Sequence, residues 1–165
     1  MTKEIKNAAI KILVRREYAV SELKKKLEKK FDDSEADIDR VIQELDKDNL
    51  QSDTRYAEMV IRAGISKYRG PIRIKGELRL KGIDDETIIK AFAEEGTDWS
   101  KLILALEKKK YGASPEPKEP KDVAKRLRFY HGQGYSSEYI DLVMKDSWFT
   151  SGSVTTSQEN EDIDE

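Results

Sequence analysis

Seven basic side chains fall within twenty residues near the middle of the chain: Arg62, Lys67, Arg69, Arg73, Lys75, Arg79 and Lys81, against the single acid Glu77. The chemistry they offer is recognition of negative charge, on an acidic protein, on a nucleoprotein or on phosphate itself. Catalytic chemistry finds little support elsewhere. The one histidine, His131, stands beside Gly132 near an expected helix end and reads as a C-terminal cation or surface residue. No histidine and carboxylate set has metal-ligand spacing, and there is no cysteine. Neither a Walker loop nor a GxGxxG run is present. The pairs Asp32-Asp33 and Asp84-Asp85 sit where helices start, so capping accounts for them. The expectation is a protein that binds rather than catalyses, with no cofactor and no metal.

The basic residues need an element to present them. Gly70-Pro71 predicts a helix start, because proline's fixed φ is already helical and its missing N–H costs nothing in a first turn. Gly82 predicts the stop, because glycine readily takes the left-handed conformation after a helix. On a helical wheel Ile74 and Leu78 share the core face, with Lys75 and Arg79 flanking the other side. Arg73, Glu77 and Lys81 form an i, i+4 ladder. Ile72, Gly76 and Leu80 make a second stripe facing away from that core. Two placements stay open for it: packing on a neighbouring repeat, or contact with an acidic protein or nucleoprotein. Other lysines and arginines (Lys24–Lys26, Lys29, Lys30, Lys108–Lys110, Lys121, Lys125, Arg126, Arg128) read mostly as solvated faces. No base-reading helix or aromatic-studded strand can be argued, so any DNA contact is expected to be weak and sequence-blind.

The whole chain supports a helical reading. Charged residues make up 39% of the 165 and the hydrophobic set 37%, with only 4 prolines and 9 glycines. That favours thin helical layers with long solvated faces. The net charge of −2 hides an asymmetry. Residues 151–165 hold five acids and no base, so the remaining 31 bases face 28 acids, a mildly basic body with an acidic tail expected to be disordered. With no cysteine, no apolar run of membrane-spanning length and nothing like a signal peptide, the expected setting is reducing and cytoplasmic, away from membranes.

Nine helices are expected. The first, over residues 3–16, turns Ile5, Ala9, Ile12 and Leu13 inward. The second, over 19–30, buries Leu23 and Leu27, and Ser34 caps a third carrying Ile38, Val41, Ile42 and Leu45. Asp53 or Ser52 starts the fourth, with Tyr56, Ala57, Val60 and Ile61 inward. The basic helix is the fifth. Asp84 caps a sixth with Ile88, Ile89 and Phe92, and Asp98 a seventh with Leu102, Leu106 and Tyr111. Residues 112–120 contain three prolines and read as a linker. The eighth helix, over about 121–131, carries Val123, Leu127 and Tyr130. Ser136 caps the ninth, with Ile140, Leu142 and Val143.

An internal repeat organises these helices. Gly82-Ile83-Asp84-Asp85-Glu86-Thr87-Ile88 matches Gly134-Tyr135-Ser136-Ser137-Glu138-Tyr139-Ile140: helix stop, apolar anchor, helix cap, next helix. Phe31-Asp32-Asp33-Ser34-Glu35-Ala36-Asp37-Ile38 is a looser copy without glycine. The expected fold is all-α: three tandem three-helix repeats, over residues 1–50, 51–97 and 98–150, stacked into an elongated, curved array.

The run Arg69-Gly70-Pro71-Ile72-Arg73-Ile74-Lys75-Gly76-Glu77-Leu78-Arg79-Leu80-Lys81-Gly82-Ile83 resembles the middle-repeat motif of the RecX family, regulators of the RecA recombinase. Other blocks agree in order: Ser21-Glu22-Leu23, Asp53-Thr54-Arg55-Tyr56-Ala57, Asp98-Trp99, Lys109-Lys110-Tyr111-Gly112 and Arg128-Phe129-Tyr130 with Gly134-Tyr135-Ser136. The resemblance covers about residues 5–148. It implies a monomer that binds the RecA filament, and the single-stranded DNA within it, and mostly inhibits strand exchange, ATP hydrolysis and coprotease activity. It carries no catalytic residue, and brings as partner-binding positions Arg69, Arg73, Lys75, Arg79 and Lys81. A general, sequence-independent nucleic-acid-binding helical array is the alternative. Ala19 departs from the family's capping serine and predicts a weak start for the second helix.

Overall fold

The computed structural model describes residues 1–112 and 116–144; the acidic tail lies outside the described residues. Nine α-helices occur among those described: α1 (Thr2–Leu13), α2 (Val20–Lys30), α3 (Glu35–Lys47), α4 (Asp53–Ser66), α5 (Pro71–Leu80), α6 (Asp85–Glu95), α7 (Trp99–Tyr111), α8 (Pro120–Gln133) and α9 (Ser137–Val143). The fold is all-α, as expected. Two compact units divide them. One takes Met1–Ala63 with Lys75–Gly96, the other Gly64–Ile74 with the described residues from Thr97 onward.

In the first unit α1, α2 and α3 pack on one another. Ile5, Ala9, Leu23, Leu27, Ile38, Val41 and Leu45 are fully buried, each on the stripe its spacing assigns. Tyr56, Ala57 and Ile61 of α4 and Leu78 of α5 are buried as well. Fully burying one such aliphatic side chain is worth about 1.5–3 kcal/mol. On α6 the buried pair is Ile88 and Ala91, whereas Ile89 is 67% exposed. One residue is a 100° rotation, so a helix that buries Ile88 turns its neighbour outward.

The start of α2 is not weak. Ala19 supplies no side chain, but Asp53 Oδ1, 33 residues away, accepts the Val20 N–H at 3.0 Å, and Glu22 Oε1 accepts the Ala19 N–H at 3.3 Å. Asp53 also accepts from the buried Gln51 amide, which donates to the Tyr18 carbonyl. With Asp53 so occupied, Ser52 caps α4 by accepting the Arg55 N–H.

The second unit is built on Ile103, Leu106, Tyr130, Tyr135, Ile140 and Val143, with α9 packed on α7 and α8. Ile103 is fully buried, rather than Leu102 beside it. Pro120 begins α8 instead of ending the linker, since its ring suits a first turn. Asp84 and Asp98 cap their helices through Thr87 N–H and Lys101 N–H. Ser34 and Ser136 hold the cap positions, but neither side chain makes the capping bond.

The repeated junction is real in its backbone. Gly82 and Gly134 are both left-handed (φ 77° and 101°), and the apolar anchors Ile83 and Tyr135 are both buried. In the copy without glycine Asp33 takes that role at φ 57°. Short polar side chains tolerate this conformation better than most.

Candidate partner-binding helix

Helix α5 starts from a strained turn. Tyr68, a bulky residue, sits at φ 59°, and its carbonyl accepts a hydrogen bond from the Tyr135 hydroxyl at 3.0 Å. First-turn amides have no partner within their own helix. Here Gly70 N–H donates to the Gln133 carbonyl at 2.7 Å and Ile72 N–H to the Gly134 carbonyl at 3.0 Å, while Pro71 has no N–H to satisfy. The two backbones approach so closely that only glycine fits at either place. A Cβ on Gly70 would lie 2.7 Å from the Tyr135 nitrogen, and one on Gly134 2.6 Å from the Arg73 nitrogen.

Further along α5, Ile74 and Leu78 are fully buried, as the wheel requires. The opposite stripe is open. Ile72 is 58% exposed and Leu80 87%, and a Cβ on Gly76 would meet nothing within 4 Å. At 100° per residue Lys75 and Arg79 fall along one edge of this stripe and Arg73 along the other.

The five basic positions do not converge on one point. Arg69 lies before the helix and is half-buried, like Arg73. Lys75 Nζ stands 5.0 Å over the Phe92 ring. Arg79 pairs with Asp85 at 3.1 Å. Lys81 lies beyond the last turn and pairs with Glu22 at 3.4 Å, while its carbonyl accepts from the Ser21 hydroxyl at 2.5 Å. Arg73, Lys75 and Arg79 border the apolar stripe, whereas Arg69 and Lys81 lie off its two ends.

Glu22 is a hub that spacing alone does not reveal. Its carboxylate meets Arg16 at 3.2 Å, Lys81 at 3.4 Å and the Ala19 N–H. Burial pushes the carboxyl up, but the Arg16 hydrogen bond, the Ala19 amide and both cations outweigh it and hold it below its ordinary value of 4.5. Nearby, burial first and then the Glu22 charge push the Tyr56 phenol up to about 12. A carboxyl whose pKa falls on folding stabilises the fold above its unfolded pKa, and loses that contribution as pH drops through its folded value. Glu22→Gln should therefore lower the Tm at neutral pH and flatten its fall below pH 4.5, which thermal melts from neutral to acid pH will read. An unchanged acid limb would mean that Glu22 carries none of it.

Comparison with known proteins places this helix in a family. The profile of the second three-helix domain of RecX matches residues 52–91, which include all five basic positions. The chain is 34% identical to the regulatory protein RecX of Chromohalobacter salexigens over 140 residues, 85% of this chain and 90% of that one. It is 38% identical to that of Vibrio parahaemolyticus over 144 residues, 87% and 91% of the two chains. The crystal structure of RecX from Lactobacillus salivarius superposes with a TM-score of 0.75 at 26% identity, covering 88% of this chain and 95% of the other. Among the described residues no helix is long and apolar enough to cross a membrane. By identity over most of its length, the chain belongs to the RecX family of regulatory proteins.

Proposed function

We propose that this protein regulates a RecA recombinase in the cytoplasm by binding, as a monomer, to the RecA–single-stranded DNA filament and mostly inhibiting its strand exchange, ATP hydrolysis and coprotease activity. The observation that carries the reading is the exposed Ile72–Gly76–Leu80 stripe of α5 with cations along both edges. Exposed apolar side chains of that size, rimmed by charge, suit a docking surface. Arg69, Arg73, Lys75, Arg79 and Lys81 are the contacts proposed within it. Gly76 leaves the helix backbone open to close approach, at a cost of about 1 kcal/mol relative to alanine. We also read residues 1–50, 51–97 and 98–150 as three repeats, the second carrying the contact helix. The recurring junctions at Asp33, Gly82 and Gly134 support that division. Binding to a labelled single strand, with and without RecA and a nucleotide, tests the function. Affinity for the filament should exceed that for bare DNA by about tenfold or more, equivalent to about 1.4 kcal/mol. Equal affinity with and without RecA would sink this reading.

A further inference from the structure

The first unit carries a second cationic feature, away from α5. A concavity of about 260 Å³ is lined by Ala8, Lys11, Ile12, Arg15, Tyr18, Lys26 and Lys30. Four of its seven lining residues are cations and none is an acid. Lys11 and Arg15 descend from α1 into the residues just past it; Lys26 and Lys30 lie on α2. Each couple is spaced i, i+4, where like charges repel and destabilise.

Many cations of the unit find carboxylates, although among the described residues Lys3, Lys25, Lys29, Arg40 and Lys47 have none within 4.0 Å. Lys24, on the same helix, has Glu28, Glu35 and Asp39 all within 4.0 Å. Among the described residues no carboxylate lies within ion-pair distance of Lys11, Arg15, Lys26 or Lys30. Three nearby acids are engaged elsewhere, Glu17 with Arg55, Glu22 with Arg16 and Lys81, and Glu28 with Lys24, while Asp32 and Asp33, just past Lys30, do not reach it within 4.0 Å. The Tyr18 ring forms the floor, with the Arg16 guanidinium 3.7 Å from its centre and Lys26 Nζ at 5.5 Å.

We infer that this concavity binds consecutive phosphates of a nucleic-acid backbone. Two rows of cations without a carboxylate partner, that of α2 with an axial spacing of about 6 Å, suit successive phosphates of an extended strand. The floor argues against an acidic protein partner. Tyr18 is 8% exposed and Ala8 7%, and Ile12 is half-buried against the core, so the site lacks the fully accessible aromatic or arginine-binding anchor that protein interfaces are built around. With no base-reading group in the lining, binding is sequence-blind and positions the strand. The site needs neither RecA nor α5, so it stands independently of the function proposed above.

The test is the salt dependence of binding to a short labelled oligothymidylate without RecA. Four phosphate contacts on a single strand contribute a slope of about −3 in log K against log salt. Replacing Lys11, Arg15, Lys26 and Lys30 together by glutamine should remove that much slope. Between about 50 and about 200 mM salt the parent should then lose about 60-fold more affinity than the variant. Helicity should be kept and the Tm held or raised, because repulsion is relieved. The pairs Lys11→Gln with Arg15→Gln, and Lys26→Gln with Lys30→Gln, should each remove half the slope, which keeps the test intact if the fourfold variant does not fold. The double variant Lys24→Gln, Lys90→Gln removes two compensated cations and should leave the slope unchanged. An unchanged slope in both pair variants overturns the inference. So does displacement of the oligonucleotide by polyglutamate as effectively as by unlabelled DNA.

Discussion

Gly134→Ala should destabilise the protein by about 3 kcal/mol, whereas Gly132→Ala, two residues earlier, should stabilise it by up to about 1 kcal/mol. Left-handed geometry alone costs an alanine about 1–2 kcal/mol, and Gly134 sits at φ 101°. The added methyl would also press on the backbone of Arg73, 2.6 Å from its nitrogen and 3.0 Å from its Cα. Backbone cannot swing aside like a side chain, so relief must come from parting the two segments. That stretches the Gly70–Gln133 and Ile72–Gly134 hydrogen bonds which satisfy the first turn of α5. Forced overpacking adds about 1–3 kcal/mol. A Cβ on Gly132 meets nothing within 4 Å, and Gly132 lies inside α8, where alanine is the better helix former. For a chain of this size the loss in Gly134→Ala corresponds to a Tm lower by about 6–12 °C. A melt within a degree of the parent would show that the segments separate freely.

Reversing three charges on α5 should remove function without removing the fold. In Arg73→Glu/Lys75→Glu/Arg79→Glu the structural losses at Lys75 and Arg79 are small. The Arg79–Asp85 pair is exposed on both sides, and such pairs contribute about 0–1 kcal/mol. The half-buried Lys75–Phe92 contact is worth about 0.5–2 kcal/mol. Against an acidic partner surface, like charges brought face to face cost several kcal/mol. Inhibition of RecA ATP hydrolysis should then weaken by about a hundredfold or more, since each 1.4 kcal/mol is tenfold. Far-UV circular dichroism should be unchanged and the Tm should move by only a few degrees. Full inhibition by a folded variant would show that α5 is not the contact surface.

Much of this architecture is legible in the residues, and the failures have physical causes. Ile38, Val41, Ile42 and Leu45 all go where their spacing sends them, because an amphipathic stripe on a surface helix has one way to face. Asp84 and Asp98 cap as their positions suggest. Ser34 does not; its hydroxyl donates to the Asp32 carbonyl instead. Ile89 and Ile103 show the limit of composition: apolar neighbours compete for one face, and tertiary packing decides which wins. Ala19 shows the limit of local rules, since its helix is capped by an aspartate 33 residues on. The edges of the α5 stripe could be drawn from a wheel, but not its exposure, because a wheel does not choose between solvent and a neighbouring repeat. The α1–α2 concavity was out of reach. Lys26 and Lys30 read as solvated positions until Lys11 and Arg15 are seen to share their space without an acid between them.

The two units are interleaved in sequence: one is made of Met1–Ala63 and Lys75–Gly96, the other of Gly64–Ile74 and the described residues from Thr97 onward. No single cut of the chain yields either unit whole. During synthesis the first cannot be completed until Gly96 has emerged, and the segment 64–74 must wait for α7, α8 and α9 to find its partners. Residues emerge at about 5–20 per second, so those last helices leave a window of several seconds. Through it the buried face of Ile74 and the carbonyl-seeking amides of Gly70 and Ile72 are unmatched. The middle of the chain, where α5 lies, is therefore finished only once α7, α8 and α9 have emerged.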